Sequence, residues 1–180
     1  GAQRVDLEEE AARVLPVVTD LAAEGVAVSI DTMRASVAEA AVRAGAVLVN
    51  DVSAGQADPD MARCVADLGV PWVLMHGRGP SATMNERAVY QDVVAEVRAE
   101  LQQRVDAALA AGVDPSRIVV DPGLGFAKHG EHNWALLRNL DRFTELGFPV
   151  LIGASRKRFL GELLADAEGH HRPTEGRGLA

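Results

Sequence analysis

Ile118-Val119-Val120-Asp121-Pro122-Gly123 decides the fold, because a short apolar run leads directly into an acidic residue and a turn. An unbroken run of β-branched residues is typical of a strand buried on both faces of a parallel sheet. The same arrangement recurs four times along the chain. The other runs are Val28-Ser29-Ile30 before Asp31, Val47-Leu48-Val49 before Asn50 and Asp51, Val73-Leu74 before Met75 and His76, and Leu151-Ile152 before Gly153, Ser155, Arg156 and Lys157.

Stretches of helical periodicity separate these runs, so strands and helices are predicted to alternate. Pro16 is expected to kink or break the first helix, and Asp58 is expected to cap the third. The predicted strands cover residues 26–30, 47–49, 71–75, 118–120 and 150–152, and the predicted helices cover 8–24, 34–44, 59–68, 88–111, 134–146 and 155–165. The pattern predicts an α/β fold with about five strand–helix units.

Polar residues at the carboxyl ends of five strands indicate a ligand site. In a βα barrel these ends form the active-site face, and in an open doubly wound sheet they line the ligand crevice. Each residue taken singly fits a helix cap or a turn equally well. The five together favour a site, and Lys157 adds to this because it is one of two lysines, with Lys128, among 18 basic residues.

Composition excludes several classes of function. The net charge of −8 and pI of about 5.1 argue against binding to nucleic acid or to an acidic membrane surface. No apolar run approaches the roughly 18 residues of a membrane span. Cys64 is the only cysteine, so no internal disulfide can form and a cytoplasmic location is expected.

Five motifs resemble those of the dihydropteroate synthase family and occur in the same order. The chain is rich in arginine and alanine, which is typical of an actinobacterial protein. The motifs are Ser29-Ile30-Asp31-Thr32, Val49-Asn50-Asp51-Val52-Ser53, Leu74-Met75-His76, Asp121-Pro122-Gly123-Leu124-Gly125-Phe126, and the segment from Gly153 through Ser155-Arg156-Lys157 to Gly161. The resemblance implies a TIM (βα)8 barrel, incomplete here. It also implies an enzyme that condenses 6-hydroxymethyl-7,8-dihydropterin diphosphate with 4-aminobenzoate to 7,8-dihydropteroate and diphosphate, uses Mg²⁺ and forms a homodimer.

The resemblance also implies roles for individual residues. The catalytic residues would be Lys157, Asp31 and Asp121, because carboxylates near the ring would stabilise a cationic pterin. The pterin would be bound by Asp31, Asn50, Val52, Met75, Asp121 and Lys157, and aminobenzoate by Phe126, Lys157 and Arg158. Some relatives carry serine where this chain has Arg158, which leaves that contact open. His76 is expected to take a turn or supporting role.

The family pattern predicts that residues 1–180 are one partial pterin-binding domain. The magnesium ligand is expected upstream of Gly1, and an Arg-x-His pair beyond Ala180. The chain by itself is then expected to be poorly stable and inactive. Two other functions stay open: a methyltetrahydrofolate–corrinoid methyltransferase, and a synthase-like paralogue that binds pterin without synthase activity.

Overall fold

A computed structural model describes residues 5–80 and 83–176, so the ends of the predicted 1–180 domain lie outside the described residues. Its described part contains a sheet of four parallel strands in the order β1-β2-β3-β4. The strands are β1 (Val28–Asp31), β2 (Ala46–Asp51), β3 (Trp72–Met75) and β4 (Ile118–Asp121). All four residues of β3 are buried, as its continuous apolar run predicted.

Helices connect the strands and pack on the sheet. They are α1 (Leu7–Ala23), α2 (Ala35–Arg43), α3 (Met61–Leu68), α4 (Val93–Ala110), α5 (Gly130–Arg138), α6 (Asp141–Thr144) and α7 (Arg158–Leu163), with 3-10 turns at Met84–Arg87, Pro115–Arg117 and Thr174–Gly176. Among these helices none is long and apolar enough to span a bilayer.

The core lies between the sheet and these helices. Helix α4 buries Val97, Leu101 and Val105 at four-residue spacing, so one face of the helix meets the sheet. Trp72 and Ile118, paired across β3 and β4, are buried in the same cluster. This packing fixes the strand register, because a slip by one residue would turn every apolar side chain to the opposite face.

The register brings the polar strand ends into one row. Asp31 pairs with Asn50 across β1 and β2, and Met75 pairs with Asp121 across β3 and β4. The carboxyl ends of neighbouring parallel strands therefore present their side chains at one edge of the sheet, as the sequence predicted.

The predicted fifth strand is a correction. In the described structure, residues 150–152 form a single parallel bridge between Val150 and Val120 and no regular strand. The pairing does begin, because Val120 donates to the Pro149 carbonyl and Leu151 donates to the Val120 carbonyl, both at 2.9 Å. Among the described residues, pairing with β4 extends no further than this one bridge.

Two predicted helices have different bounds from those expected: the first begins at Gly130 rather than at residue 134 and is divided, and the second begins late. The predicted helix 134–146 is divided into α5 and α6 at Asn139, whose amide donates to the Ala135 carbonyl at 2.8 Å. The predicted helix 155–165 begins only at Arg158, because Arg156 takes a left-handed backbone conformation with φ of 61°.

Three helix starts or breaks also differ from the prediction. Helix α1 continues through Pro16, so the loss of one backbone hydrogen bond does not interrupt it. Helix α4 starts at Val93 rather than at residue 88, because the Asp92 carboxylate accepts hydrogen bonds from the first turn. Asp58 caps a different helix from the one expected: its carboxylate accepts from the Ala35 N–H of α2 at 2.8 Å.

Candidate active site

A cavity of about 510 Å³ opens at the carboxyl ends of the strands. Seven of the eight predicted site residues line it, and Arg158 does not. The lining consists of Ser29, Asp31, Leu48, Asn50, Val52, Val73, Met75, Asp121, Leu124, Phe126, Leu151, Gly153, Ser155 and Lys157. Residues that lie up to 128 positions apart in the sequence, from Ser29 to Lys157, are thus gathered by the parallel strands into one apolar pocket with a few polar groups, as a small-molecule site requires.

Asp121 is the buried acid of the cavity. Its side chain is 5% exposed, and one carboxylate oxygen accepts a hydrogen bond from the Gly123 N–H at 2.7 Å. Burial raises the pKa of Asp121, while the Gly123 N–H and the charges of Lys157 and Lys128 lower it. The carboxylate is therefore fixed in direction and keeps an oxygen free to accept from a ligand.

Asp31 and Asn50 lie together on the β1–β2 side. Asp31 is more exposed than Asp121, and Asn50 is half-buried beside it. Desolvation raises the pKa of Asp31, a hydrogen bond with the Asn50 side chain lowers it, and the Asp51 charge raises it. The pair presents an acceptor and a carboxamide that both donates and accepts, which suits a ligand edge with mixed hydrogen-bonding groups.

Lys157 reaches the cavity from the segment before α7. Its ammonium nitrogen lies 4.1 Å from the centre of the Phe126 ring, a cation–π contact. Desolvation lowers the pKa of Lys157, and the Asp121 carboxylate raises it. Gly125 allows this approach, because a Cβ at that position would lie 3.0 Å from Cδ of Lys157.

Val52 and Met75 supply apolar walls. Met75 is 4% exposed at the end of β3, and Val52 is half-buried after β2. The turn that carries Val52 is held by Asp51, whose carboxylate accepts from the Ser53 N–H at 2.8 Å and the Gly55 N–H at 2.6 Å. Asp51 therefore has a structural role below the cavity rather than a role in contact with ligand.

The structure does not bring Arg158 to the cavity. Its side chain is 78% exposed and its Nε lies 3.3 Å from Glu162, one turn along α7. Arg158 is the first residue of α7, so its side chain projects along the helix surface while Lys157, one position earlier, projects into the pocket.

The sequence prediction missed several cavity residues that share a simple signal. Ser29, Leu48 and Val73 each precede a predicted site residue by two positions, namely Asp31, Asn50 and Met75. Alternate residues of a strand face the same side, so period-two counting back from each site residue would have found them. Leu151, Gly153 and Ser155 show the same spacing of two before Lys157, although this segment forms no regular strand, and Leu124 precedes Phe126 by two positions in the loop after β4.

The described residues offer no cluster of three metal-binding side chains at the cavity. Within residues 5–80 and 83–176, the group of three metal-binding side chains that comes close enough is Asp166, Glu168 and His170, all exposed and none lining the cavity. The cavity itself contributes the carboxylates of Asp31 and Asp121 on opposite sides.

Comparison with known proteins identifies the family. The family model described as "Pterin binding enzyme" matches residues 1–179. The chain belongs to this pterin-binding enzyme family. The dihydropteroate synthase of Mycobacterium leprae (strain TN) is 60% identical to it over 181 residues, covering all of this chain and 64% of that protein. The dihydropteroate synthase of Bacillus subtilis (strain 168) is 44% identical over 165 residues, covering 91% of this chain and 55% of that protein.

Solved structures of family members agree with the fold. A Xanthomonas albilineans dihydropteroate synthase with 4-aminobenzoic acid matches with a TM-score of 0.90 at 44% identity, covering 99% of this chain and 62% of that one. The same enzyme in complex with 7,8-dihydropteroate matches with a TM-score of 0.86 at 44% identity, covering 98% and 63%. The predicted fold class, an α/β arrangement forming part of a TIM barrel, is confirmed. The chain spans 55% to 64% of the length of these relatives.

Proposed function

We propose that the complete gene product is a transferase that condenses 6-hydroxymethyl-7,8-dihydropterin diphosphate with 4-aminobenzoate, giving 7,8-dihydropteroate and diphosphate in folate biosynthesis. The observation that carries the proposal is the convergence of Asp121, Asn50 and Lys157 on one apolar cavity. Relatives that bear the name dihydropteroate synthase at 44% to 60% identity support the same reaction.

The polar groups suit the edge of a pterin ring. The ring presents amide and amino donors on one edge, and the Asp121 carboxylate can accept two of them in parallel. Asn50 reads a neighbouring part of the edge that both donates and accepts, and Lys157 donates to the ring carbonyl side. Met75 and Val52 pack on the flat faces of the ring.

The chemical step needs charge stabilisation more than proton transfer. The bond between the pterin methylene carbon and the diphosphate oxygen breaks, and its electron pair leaves with diphosphate. The amino nitrogen of 4-aminobenzoate forms the new bond to the methylene carbon and releases one proton to solvent. Asp121 and Asp31 lie where they stabilise the positive charge that develops on the pterin as the diphosphate leaves.

The aminobenzoate end of the cavity is formed by Phe126 and Lys157. The ring of Phe126 offers an apolar surface for the aryl ring. The ammonium of Lys157 lies 4.1 Å from the centre of that ring, which supports a role for Lys157 toward both substrates. Arg158 is proposed to contribute only a positive charge exposed to solvent, because its side chain pairs with Glu162 and does not line the cavity.

The remaining parts of the proposal rest on the family resemblance. We propose that residues 1–180 form a partial pterin-binding domain of a homodimer, and that any Mg²⁺ takes its ligands from outside the described residues. A cytoplasmic location is proposed from the single cysteine.

Growth rescue tests the proposal. The complete gene is expressed in a synthase-deficient bacterium, without thymidine or other folate end products, beside its Lys157→Ala variant and an Arg117→Ala control that removes an exposed cation elsewhere. Rescue by the wild type and the control, with at least about a 100-fold loss of kcat in purified Lys157→Ala, is expected. An abundant, folded wild-type protein that gives no rescue contradicts the synthase assignment and favours a pterin-binding module or the methyltransferase.

A further inference from the structure

A second lysine, Lys128, is buried next to the cavity without lining it. Its side chain is 7% exposed. Its ammonium donates to the carbonyls of Gly123 at 3.0 Å and Phe126 at 2.9 Å, and lies 2.9 Å from Nδ1 of His76. All three hydrogens of the ammonium are thereby used, and two of them hold the loop after β4 (residues 122–128, here the β4 loop) in a closed turn.

The His76 side chain, which follows β3 and contacts Lys128, is also held by several partners. Because Nδ1 of His76 accepts from Lys128, its Nε2 carries the proton and donates to Glu100 at 3.0 Å. Burial lowers the pKa of His76 to about 4, so the ring is neutral in this arrangement. Glu100 is also bound by Arg78, and Arg104 donates to the Gly77 carbonyl at 2.7 Å.

The β4 loop forms the surface against which the Lys157 side chain packs. Phe126 supplies the ring under the Lys157 ammonium, and Gly125 packs against the Lys157 methylenes. A further bond closes the loop, because the Tyr90 hydroxyl donates to the Ala127 carbonyl at 3.0 Å. The position of Lys157 thus depends on how the β4 loop is folded, and Lys128 is the group that ties its two ends together.

We propose that Lys128 is a positioning residue that acts through the β4 loop on Lys157. The Lys128 amine is suited to this because it pairs with two carbonyls and an imidazole that would be costly to leave unsatisfied at this depth. Desolvation lowers the pKa of Lys128 to about 7, so the arrangement with three donated hydrogens is that of its protonated form. The role is distinct from substrate contact, since Lys128 is absent from the cavity lining. The inference rests on the proposed function, because Lys128 affects the substrate only through the position of Lys157.

A double-mutant cycle on the complete gene product tests the inference. Wild type, Lys128→Met, Lys157→Met and the double variant are titrated with dihydropterin diphosphate by calorimetry. Lys128→Met is expected to weaken binding roughly tenfold when Lys157 is present and less than about twofold in the Lys157→Met background. A general loss of packing would weaken binding equally in both backgrounds, and that additive result would overturn the inference.

Hydrogen exchange gives a second readout that needs neither ligand nor turnover. Amides 123–127 are expected to exchange faster in Lys128→Met while those of α2 stay unchanged, and unchanged exchange at 123–127 would overturn the inference.

Failure of the proposed function can be told apart from failure of this inference. If the wild type binds dihydropterin diphosphate without turnover, the synthase assignment is wrong, but the double-mutant cycle can still be measured. A wild type that binds no dihydropterin diphosphate also removes that assignment, and the exchange result then decides alone. If Lys128→Met does not fold, Lys128→Gln, which stays polar but lacks the third donor hydrogen and the length of lysine, replaces it in both measurements with the same expected results.

Discussion

The two sides of the cavity differ in how their polar groups are held. On the β3–β4 side, Asp121 and Met75 are buried, and the loops behind them are tied by Lys128, His76 and Arg104. On the β1–β2 side, Asp31 is exposed and its interactions with other side chains are with its neighbours Asn50 and Asp51. The difference shows that one side of the site is preorganised by buried charge, whereas the other depends on what covers it.

The largest effect is expected from breaking the contact between the β3 and β4 ends. Gly123 has φ of 70°, and a Cβ there would lie 1.9 Å from the His76 carbonyl oxygen. Gly123→Ala should therefore lower the free energy of unfolding by more than about 4 kcal/mol and abolish pterin binding, because backbone must move. Gly69→Ala is the matched control: its φ is 64° with nothing within 4 Å, so urea unfolding should show a loss of only about 1–2 kcal/mol. Equal losses in the two variants would contradict the preorganised contact.

The buried His76 should make the free energy of unfolding depend on pH below about 6.5. His76 has a folded pKa of about 4 against 6.5 in an unfolded chain, so between these values the unfolded state binds more protons. Stability is then lost as pH falls from 6.5 to 4, by up to about 3 kcal/mol. His76→Gln should flatten this slope, measured by urea unfolding at pH 7, 5.5 and 4.5.

Exposed His171→Gln is the control for that slope and should keep the wild-type pH dependence. The groups that face His76 are Glu100, Lys128 and Arg104. Glu100, with a pKa lowered to about 2 chiefly by the His76 hydrogen bond, adds its own loss only below pH 4.5. A slope between pH 6.5 and 4.5 that survives His76→Gln would show that His76 is not its source.

Comparing the two acids sharpens the contrast between the two sides. Asp121→Asn should weaken dihydropterin diphosphate binding roughly 30-fold, because a buried charged acceptor is lost. Asp31→Asn should weaken it roughly fivefold, because the Asp31 carboxylate is partly desolvated but is still reached by solvent more than that of Asp121. Calorimetric titration of the two variants, which have the same change in shape and charge, measures the ratio. A larger effect at Asp31 would reverse the comparison and show that the β1–β2 side becomes buried when ligand is bound.

The smallest effect is expected at Arg158, outside both sides. Its exposed ion pair with Glu162 contributes little, so Arg158→Ser should change the KM for 4-aminobenzoate by less than about twofold. Initial-rate kinetics at saturating pterin measure this value. A tenfold rise in KM would restore the contact with aminobenzoate that the family resemblance implied.

The sequence predicted the elements better than their ends. Four of five strands and the alternation with helices followed from apolar runs, which report burial on both faces of a sheet. The ends depended on single side chains with distant or competing partners: Asp58 caps α2 rather than α3, and Asn139 divides one predicted helix. The fifth strand was wrong because an apolar run reports burial but does not show how far backbone pairing extends, and here pairing with β4 stops at one bridge.

The sequence by itself determined which residues stand at the carboxyl ends of the strands, because strand period and chain order are local properties. Only the tertiary structure decided which of them meet. Lys128 and His76 are 52 positions apart, and nothing local distinguishes Lys128 from Lys157 as the lysine that is buried behind the cavity. That choice follows from the closing of β3 against β4, which leaves two carbonyls and an imidazole facing inward and makes a buried cation the group that satisfies them.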